Sequence, residues 1–523
     1  MLVLSFYFGA DMIHMSTSPL TLDNIADLLF GGKKVALDPD ALQRVLTNFD
    51  FLREFSANKL IYGINTGLGP MAQYKIGPGN NLQLQYNLIR SHSSGAGALL
   101  PPILVKALMI ARLNSLLQGF SGVHPDTVEL LQILINKEIY PIVPEHGGVG
   151  ASGDLVQLAH VALVMIGEGE VIYESNRQET AAVFSRLGIT PLKIYLREGL
   201  GIVNGTSAMT GIGLVNLLQA KRILACSVLF SAMTNEVVSA FDDHFSKELN
   251  AVKKHTGQNV IAERMRNILS DSKMIRKRSD HLYNAESIDQ DIFEDKIQEY
   301  YSVRCITQVL GPIYDTIVNT EGIVLNELNS ANDNPVIDHE NQDVYHGGNF
   351  HGDYISLEMD KLKIAITKCS MLSERQLNYL LNDKLNNKLP PFINLGTLGL
   401  HFGMQGIQFT ATSTVAENQT LSFPMYLHSI PNNNDNQDIV SMGCNAALMT
   451  KKVLDNTFEV LSIQIMAIVQ AIDALSCQSQ LSTQTQAVYS LVRSIFPVFI
   501  EDHPKYADLL NIKTLLMESD LFG

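Results

Sequence analysis

Apolar residues recur every three or four positions along most of this chain, a spacing that places them on one face of an α-helix. The helices that this pattern predicts are mostly short before residue 200 and often much longer after it. They cover residues 21–30, 39–55, 82–89, 102–117, 126–137, 211–238, 261–269, 296–328, 355–385, 403–419, 440–475 and 487–500. A small strand is predicted at 59–62 and a small mixed surface patch at 170–198. Because the later helices are long, apolar and weakly charged, they predict a helical bundle that oligomerises.

The change in helix length also predicts how the chain divides into domains. We expect an N-terminal extension over residues 1–20, an N-terminal domain over 21–206, and a long-helix bundle with C-terminal helices over 207–523. The opening residues are apolar, but no Lys or Arg precedes them. We therefore interpret them as an extension rather than a signal peptide, with Met12 or Met15 as an alternative start.

Charge and cysteine content narrow the class of protein. The formal net charge is -15, which argues against nucleic acid or an anionic membrane surface as a partner. The five cysteines are widely spaced and form no Cys-x-x-Cys pair, so we expect a reducing compartment and a cytoplasmic location. Residues 199–220 carry no charge, but their polar side chains favour a buried helix over a membrane span.

Polar segments rich in Asn, Gly and His separate the predicted helices. They lie at 91–95, 204–206, 329–335, 346–352 and 432–438. Loops that a rigid scaffold holds in place often carry function, so these segments are the candidate functional positions.

A glycine-rich stretch at residues 147–155, with the sequence GGVGASGDL, precedes an apolar run. Glycine permits positive φ and close backbone approach, so the amide of Gly153 could reach the carbonyl carbon of Ala151. Attack there, with loss of two waters, would give a methylidene-imidazolone ring whose alkene derives from Ser152. Asp154 as N-cap and Gln157 at the capping-box spacing predict a helix start whose dipole favours negative charge on the ring. A glycine-rich turn into an ordinary helix is the other interpretation, and these residues alone leave both open.

Three further interpretations compete with the ring. Residues 150–154 nearly match the Gly-x-Ser-x-Gly turn of serine hydrolases, but the fifth residue is aspartate and strands do not alternate with helices. A metal could bind His346, His351 and Asp353, although this spacing is a weak ligand pattern, and 432–438 lacks an EF-hand's glycine and glutamate. A non-enzymatic helical scaffold would explain the long helices but not the polar segments.

Seven short motifs occur in an order typical of one enzyme family. They are Tyr-Gly-Ile-Asn-Thr-Gly at 62–67, Gly-Ala-Ser-Gly-Asp at 150–154, Asn-Gly-Thr at 204–206, Tyr-Ser-Val-Arg at 301–304, Asn-Asp-Asn-Pro at 332–335, Gly-Gly-Asn-Phe at 347–350 and Asn-Gln-Asp at 436–438. From about residue 20 to 500 the chain resembles the aromatic amino acid ammonia-lyases, a family that includes histidine ammonia-lyases and 2,3-aminomutases. Residues 88–95 and 146–150 are most similar to its flavobacterial tyrosine ammonia-lyase type.

The resemblance implies a mainly α fold with fumarase/aspartase-like architecture, in which a smaller N-terminal region carries the active site beside a long-helix core. It also implies homotetramers whose active sites are built from several subunits. The cofactor would be the 4-methylidene-imidazole-5-one (MIO) ring made from Ala151, Ser152 and Gly153, without a metal. Capture of the substrate amine by this electrophile makes nitrogen a better leaving group, and loss of ammonia gives an unsaturated acid.

The same resemblance implies a role for each remaining site residue. Tyr62 would be the general base and Tyr301 would flank the ring. A phenol with a pKa of about 10 is a weak base near neutrality, so its surroundings must favour the phenolate. The residues expected to bind the substrate are His92, Asn204, Arg304, Asn334, Phe350, Asn433 and Gln437.

Two of these positions bear on substrate choice. His92 matches a selectivity position at which histidine would bond a phenolic hydroxyl, and Gln437 stands where histidine ammonia-lyases carry a glutamate. We therefore expect L-tyrosine to give p-coumarate, with histidine ammonia-lyase or tyrosine 2,3-aminomutase activity as alternatives. The chain departs from the family pattern at Leu68, in the loop that carries Tyr62, and this leaves aminomutase activity open.

Overall fold

The computed structural model describes residues 12–77, 79–283, 291–292, 296–519 and 521, and most of these residues are helical. In chain order the α-helices are α1 (Leu22–Leu29), α2 (Pro39–Phe55), α3 (Asn81–His92), α4 (Pro102–Leu117), α5 (Pro125–Asn136), α6 (Leu155–Met165), α7 (Thr180–Leu187), α8 (Glu198–Val203), α9 (Ser207–Val238), α10 (Lys247–Ala251), α11 (Thr256–Ile268), α12 (Arg278–His281), α13 (Tyr301–Arg304), α14 (Ile306–Leu328), α15 (Asp353–Leu381), α16 (Asp383–Asn386), α17 (Gln405–Leu421), α18 (Gly443–Leu475), α19 (Thr483–Ile495) and α20 (Tyr506–Glu518). The predicted mainly α fold is confirmed.

Short strands accompany the helices. They are β1 (Met12–Met15), β2 (Lys34–Leu37), β3 (Ala96–Leu99), β4 (Tyr140–Pro141), β5 (Pro144–His146), β6 (Glu170–Tyr173), β7 (Asn176–Glu179), β8 (Val336–Asp338) and β9 (Asp343–Tyr345). Strands β1 and β2 pair in parallel, whereas β3–β5, β4–β6–β7 and β8–β9 are antiparallel. Strands β6 and β7 with helix α7 form the mixed patch predicted at 170–198.

Local sequence explains where the first helices begin. The Thr21 side chain accepts a hydrogen bond from the Asn24 amide, and the Asn24 side chain bonds the Thr21 backbone in return, so α1 starts with a capping box. The Asp38 carboxylate caps α2, with Pro39 at the first helical position. Helix α7 ends at Gly188, whose φ of 65° suits glycine.

The long helices are present, but two predicted ones are divided. The helix predicted at 296–328 consists of α13 and α14, which are separated at Cys305. The helix predicted at 355–385 ends at Leu381, because the Asn382 side chain caps the separate helix α16. The predicted strand at 59–62 is wrong. Its backbone turns instead, because the Asn65 side chain accepts from the Ile61 amide at 2.8 Å.

The chain forms two compact units that alternate along the sequence. The first comprises residues 1–218, 320–360 and 424–448, and the second comprises 219–319, 361–423 and 449–523. The predicted domain boundary between residues 206 and 207 assumed that each domain is one continuous segment. Each of the two units is instead made of three separate segments of the chain. All but two of the predicted site residues lie in the first unit.

Part of the predicted N-terminal extension belongs to the folded first unit. Residues 12–15 form β1, which pairs with β2, and Met15 is fully buried. The expectation of a separate extension over residues 1–20 is therefore wrong for this strand. Residues 1–11 lie outside the described residues.

Helices α9 and α18 are long and apolar enough to cross a membrane. Most of each apolar window is nevertheless buried inside the protein, 72% in α9 and 78% in α18. The burial of α9 agrees with the interpretation that residues 199–220 contain a buried helix rather than a membrane span.

Candidate active site

The glycine-rich turn before α6 is fixed by backbone contacts. Gly153 has a φ of 73° and forms a parallel β-bridge with Gly205. A Cβ atom at Gly153 would lie 1.9 Å from the Gly205 carbonyl oxygen, so only glycine fits at this position. The Gly150 carbonyl accepts hydrogen bonds from the Gly352 amide at 3.1 Å and from the Ser441 hydroxyl at 3.0 Å. The turn is therefore clamped by segments far away in the sequence.

Two carboxamide side chains hold the two oxygens of Ser152. The Asn204 Nδ2 donates to the Ser152 carbonyl oxygen at 2.9 Å. The Gln437 Nε2 donates to the Ser152 Oγ at 2.8 Å. Asn204 is buried, whereas Gln437 is half-buried on the loop 432–438. Residues from three predicted motifs thus meet at this one serine.

Asp154 has a different partner from the one predicted. Its side chain does not cap α6; its Oδ2 accepts from the Met209 amide at 2.7 Å, at the start of α9. Burial raises the pKa of the Asp154 carboxyl to about 7, and hydrogen bonds from the Met209 and Ala208 amides oppose that shift. The predicted capping box with Gln157 is also wrong, because the Gln157 amide donates to the Glu145 carbonyl.

Asn334 connects Asn204 to a buried charged cluster. Its amide donates to the Asn204 Oδ1 at 2.8 Å, and its carbonyl accepts from the Arg197 Nη2 at 3.0 Å. The Asp333 carboxylate lies between Arg197, at 3.5 Å, and Arg112, at 3.9 Å, and all three charged side chains are fully buried. Burial lowers the pKa of both arginines, that of Arg112 to about 10, and Asp333 opposes the shift. Glu198, which is also fully buried, interacts with Arg197 as well, so two carboxylates face the two arginines.

Tyr62 lies in a loop that is anchored on both sides. Its neighbours Ile61 and Ile64 pack into a buried apolar cluster with Leu52 and Ile337. The Tyr62 hydroxyl oxygen accepts a hydrogen bond from the Gly69 amide at 2.9 Å, which holds the phenol against the far side of its own loop.

The buried side chain of Gln85 fixes the position of the Tyr62 loop on α3 and α8. Its Nε2 donates to the Gly63 carbonyl at 2.9 Å, and its Oε1 accepts from the Leu200 amide at 2.9 Å. Gly63 has a φ of 73°, and a Cβ there would meet Leu200 at 2.3 Å. The loop therefore approaches α8 as closely as glycine allows.

His92 is the last residue of α3 and is half-buried. Its Nδ1 lies 3.0 Å from the Leu88 carbonyl oxygen, which can only accept a hydrogen bond. The Ser91 hydroxyl oxygen lies 3.0 Å from the same nitrogen, so Nδ1 either donates to the carbonyl or accepts from the hydroxyl. In the first tautomer Nε2 is an acceptor, which suits a hydroxyl that donates.

Asn433 and Phe350 complete the predicted residues of the first unit. Asn433 lies close to Gly69 of the Tyr62 loop. A Cβ atom added at Gly69 would be 2.8 Å from the Asn433 Nδ2. Phe350 is half-buried in the turn that precedes Gly352. The amide of Gly347, in the same segment, donates to the Asn334 Oδ1 at 2.8 Å.

Tyr301 and Arg304 belong to the second unit. They form the short helix α13, in which the Arg304 guanidinium carbon lies 4.8 Å from the centre of the Tyr301 ring. Tyr301 is 72% exposed. The Arg304 Nε is buried and has no hydrogen-bond partner among the described residues, so it retains capacity to donate.

Two competing interpretations lose support here. Both ring nitrogens of His351 have partners, the Asp353 carboxylate at 3.1 Å and the Ile439 carbonyl at 3.2 Å, which does not favour a metal site. The Ser152 hydroxyl meets a carboxamide rather than a histidine base, unlike a serine hydrolase.

A cavity in the first unit has a different lining from that of the predicted site. It measures about 530 Å³. The residues that line it are Glu327, Ser330, Ala331, Asn332, Gly348, Asn349, His351, Asp353 and Tyr354. Six of them lie in the polar segments 329–335 and 346–352, but none is among the residues predicted to form the ring or to bind the substrate, so the bonds around Ser152 are the better guide to the chemistry.

Sequence reasoning missed the buried arginines. Arg112 lies in the apolar helix α4, and a charged residue inside an apolar run is a signal that could have identified it. Arg197 precedes the short helix α8 and carries no comparable signal.

Comparison with known proteins decides the family. A family model described as aromatic amino acid lyase matches residues 20–494. The chain belongs to the aromatic amino acid lyase family. The predicted fumarase/aspartase-like helical architecture agrees with the solved structures of this family.

Its relatives in the aromatic amino acid lyase family differ in the reaction that their names give. A tyrosine 2,3-aminomutase from Myxococcus sp. (strain Mx-B0) is 37% identical over 490 residues, which are 92% of this chain and 93% of that protein. A tyrosine ammonia-lyase from Cupriavidus metallidurans is 37% identical over 96% of this chain and 95% of that protein. The crystal structure of a tyrosine aminomutase from Streptomyces globisporus superposes with a TM-score of 0.94, at 34% identity and 98% coverage of both chains. Relatives named histidine ammonia-lyase match over similar lengths.

Proposed function

We propose that this aromatic amino acid lyase eliminates ammonia from L-tyrosine to give p-coumarate, using an MIO ring formed from Ala151, Ser152 and Gly153. One observation carries the proposal: Asn204 and Gln437 donate to the two oxygens of Ser152 at the turn that Gly153 and Gly205 close. A serine in an ordinary turn would not need two carboxamides from distant segments.

The residues at this turn fit the ring. Closure requires the Gly153 amide nitrogen close to the Ala151 carbonyl carbon, and a residue with a Cβ at 153 would collide with Gly205. The Ser152 carbonyl would become the oxygen of the ring, and the Asn204 amide already donates to it. When formed, the ring supplies an electrophile that captures the substrate amine and improves nitrogen as a leaving group.

The other predicted site residues divide the remaining tasks. Tyr62 removes the β-proton, and the hydrogen bond from the Gly69 amide fixes the position of its hydroxyl oxygen for this task. Asn204 stabilises negative charge on the Ser152 carbonyl oxygen, as an oxyanion donor does. Arg304 binds the substrate carboxylate with its planar guanidinium, beside Tyr301.

His92 supports tyrosine as the substrate, because a neutral imidazole has one acceptor nitrogen. In the tautomer whose Nδ1 donates to the Leu88 carbonyl, Nε2 can accept a hydrogen bond from a phenolic hydroxyl. Gln437 provides a neutral amide, whereas a carboxylate there would favour an imidazole. Relatives whose names specify tyrosine add weight to this assignment.

Tyrosine 2,3-aminomutation is a second candidate. Two of the compared proteins are named for that reaction. It differs from elimination in the fate of the ammonia, which returns to the β-carbon instead of leaving. Leu68 lies in the Tyr62 loop, whose opening would determine whether ammonia and the unsaturated acid escape.

We further propose that the enzyme works as a cytoplasmic homotetramer in which several subunits build each active site. The apolar character of the long helices supports the assembly, and the separated cysteines support the reducing compartment.

The test is a product analysis with L-tyrosine, L-phenylalanine and L-histidine in separate reactions, in which α,β-unsaturated acids and β-amino acids are resolved. We expect p-coumarate and ammonia from tyrosine as the fastest reaction, and no product from Ser152→Ala. Faster formation of urocanate from histidine would contradict the substrate assignment. β-Tyrosine as the main product would replace elimination by aminomutation.

A further inference from the structure

The contact between Gln437 and the Ser152 hydroxyl involves an oxygen that the proposed ring does not retain. The Gln437 Nε2 donates to Ser152 Oγ at 2.8 Å. This oxygen leaves as water when the ring matures, so the contact exists only before maturation is complete. It therefore bears on the formation of the ring rather than on turnover.

The loop 432–438 holds Gln437 in place for this contact. Asn432 and Gln437 form an antiparallel bridge, in which the Gln437 amide donates to the Asn432 carbonyl and the Gln437 carbonyl accepts from the Asn432 amide. Between them, Asn433, Asn434 and Asp435 all have φ between 54° and 56°, the left-handed region. A left-handed run closed by backbone bonds fixes the point from which the Gln437 side chain extends.

Maturation of the ring consists of two dehydrations. In the first, the Gly153 nitrogen bonds to the Ala151 carbonyl carbon, and that carbonyl oxygen leaves as water with one proton each from the Gly153 and Ser152 nitrogens. In the second, the Ser152 Cα–H electron pair forms the alkene while the Cβ–Oγ bond breaks, and hydroxide leaves as water with a proton. No oxidant or reductant is needed. Closure of the ring makes the Cα hydrogen more acidic by conjugation, so the second dehydration follows the first.

We propose that Gln437 assists the second dehydration by donating a hydrogen bond to the departing Ser152 hydroxyl. The inference rests on the proposed function, because it requires the ring. Negative charge grows on Oγ as the Cβ–Oγ bond breaks, and the Nε2 donor stabilises that charge from a fixed position. Asn204 acts at the same residue on the carbonyl oxygen, which receives charge when the Cα proton is removed. Once the hydroxyl has left, the Gln437 amide is released to face the substrate.

The experiment follows maturation of the full-length chain by intact mass, in cell-free synthesis reactions stopped at successive times. Gln437→Met removes the donor at nearly constant length, and Gln437→Asn keeps the amide but shortens its reach. Asn436→Ala is the matched control, because it removes an exposed amide from the same loop. The masses distinguish chains that have lost no water, one water or two waters.

We expect the wild type and Asn436→Ala to reach the two-water species at the same rate. Gln437→Met should accumulate the one-water species and complete the second loss on the order of tenfold more slowly, with Gln437→Asn in between. If Gln437→Met reaches the two-water species at the wild-type rate, or stays at no water lost, the inference is wrong. Loss of no water by the wild type would overturn the proposed ring itself, which separates the two failures.

Discussion

The candidate site has a floor and a rim that are built differently. The floor is the turn around Ser152 with Asp154 and Asn204, and its contacts are mainly buried backbone groups and fixed amides. The rim carries His92 and Gln437, half-buried side chains at the end of a helix and on a loop. A floor made of backbone constrains which residues fit, whereas His92 on the rim can change without disturbing it. Relatives of one family whose names specify different substrates and reactions are consistent with a fixed floor and a variable rim position.

The largest effect is expected from Gly153→Ala, which breaks the floor. The new Cβ would lie 1.9 Å from the Gly205 carbonyl oxygen, so the turn must shift and ring closure fails. Turnover of tyrosine should fall by roughly a thousandfold or more, equivalent to ~4 kcal/mol of barrier. Gly188→Ala is the control, since Gly188 also has positive φ but open space around it. Equal activity losses in the two variants would contradict the steric argument.

Arg197→Met tests the charge beneath the floor. Asp333 would lose its nearer arginine partner and keep only Arg112 at 3.9 Å. Removing one member of a buried charged group typically lowers the free energy of unfolding by about 3–5 kcal/mol. We expect a clear fall in melting temperature, and little change in Arg186→Met, whose side chain is half exposed. Similar melting temperatures for both variants would mean that the buried cluster does not hold Asn334 in place.

Asp154→Asn should reveal the pH dependence of the floor. The folded-state pKa of Asp154 is about 7, above the ordinary carboxyl value, because burial disfavours the charge. The folded state therefore binds the proton more tightly, and the stability contributed by Asp154 falls as pH rises from about 4 to 7. Relative to wild type, Asp154→Asn should gain stability across that interval, by at most ~4 kcal/mol. Denaturant unfolding at pH 4 and pH 8 measures this gain, and a constant difference would rule out the shift.

The smallest effect is expected from His92→Phe, which changes only the rim. Loss of the Nε2 acceptor removes one hydrogen bond to the phenol, so the kcat/KM ratio of tyrosine to phenylalanine should fall by about 10- to 100-fold. Ring formation should be retained, because His92 has no bond to the turn around Ser152 among the described contacts. His503→Phe, in the second unit, provides a histidine control. An unchanged ratio in His92→Phe would remove this residue from substrate selection.

Sequence periodicity predicted the helices well because burial of an apolar face is a local pattern. It failed where a distant or side-chain partner decides the backbone, as in the turn that Asn65 closes at 59–62. The break at Asn382 is another example, since one cap divides an otherwise continuous apolar pattern.

Site prediction had the same limit. Motifs identified Ser152, Asn204 and Gln437, and the structure brings these three together. Capping rules assigned Asp154 to α6, but its carboxylate bonds the start of α9, 55 residues later. The buried position of Arg197 depends on three segments folding together, which no local pattern encodes.

We propose that Ser152 is no longer a serine in the mature enzyme. The most direct measurement is the near-ultraviolet difference spectrum between the wild type and Ser152→Ala. The chain contains no tryptophan, so tyrosine and phenylalanine give the only side-chain background in that region. We predict an additional absorption band in the wild type, from the conjugated ring, that Ser152→Ala lacks. Identical spectra would show that Ser152 is not converted and would contradict the proposed ring.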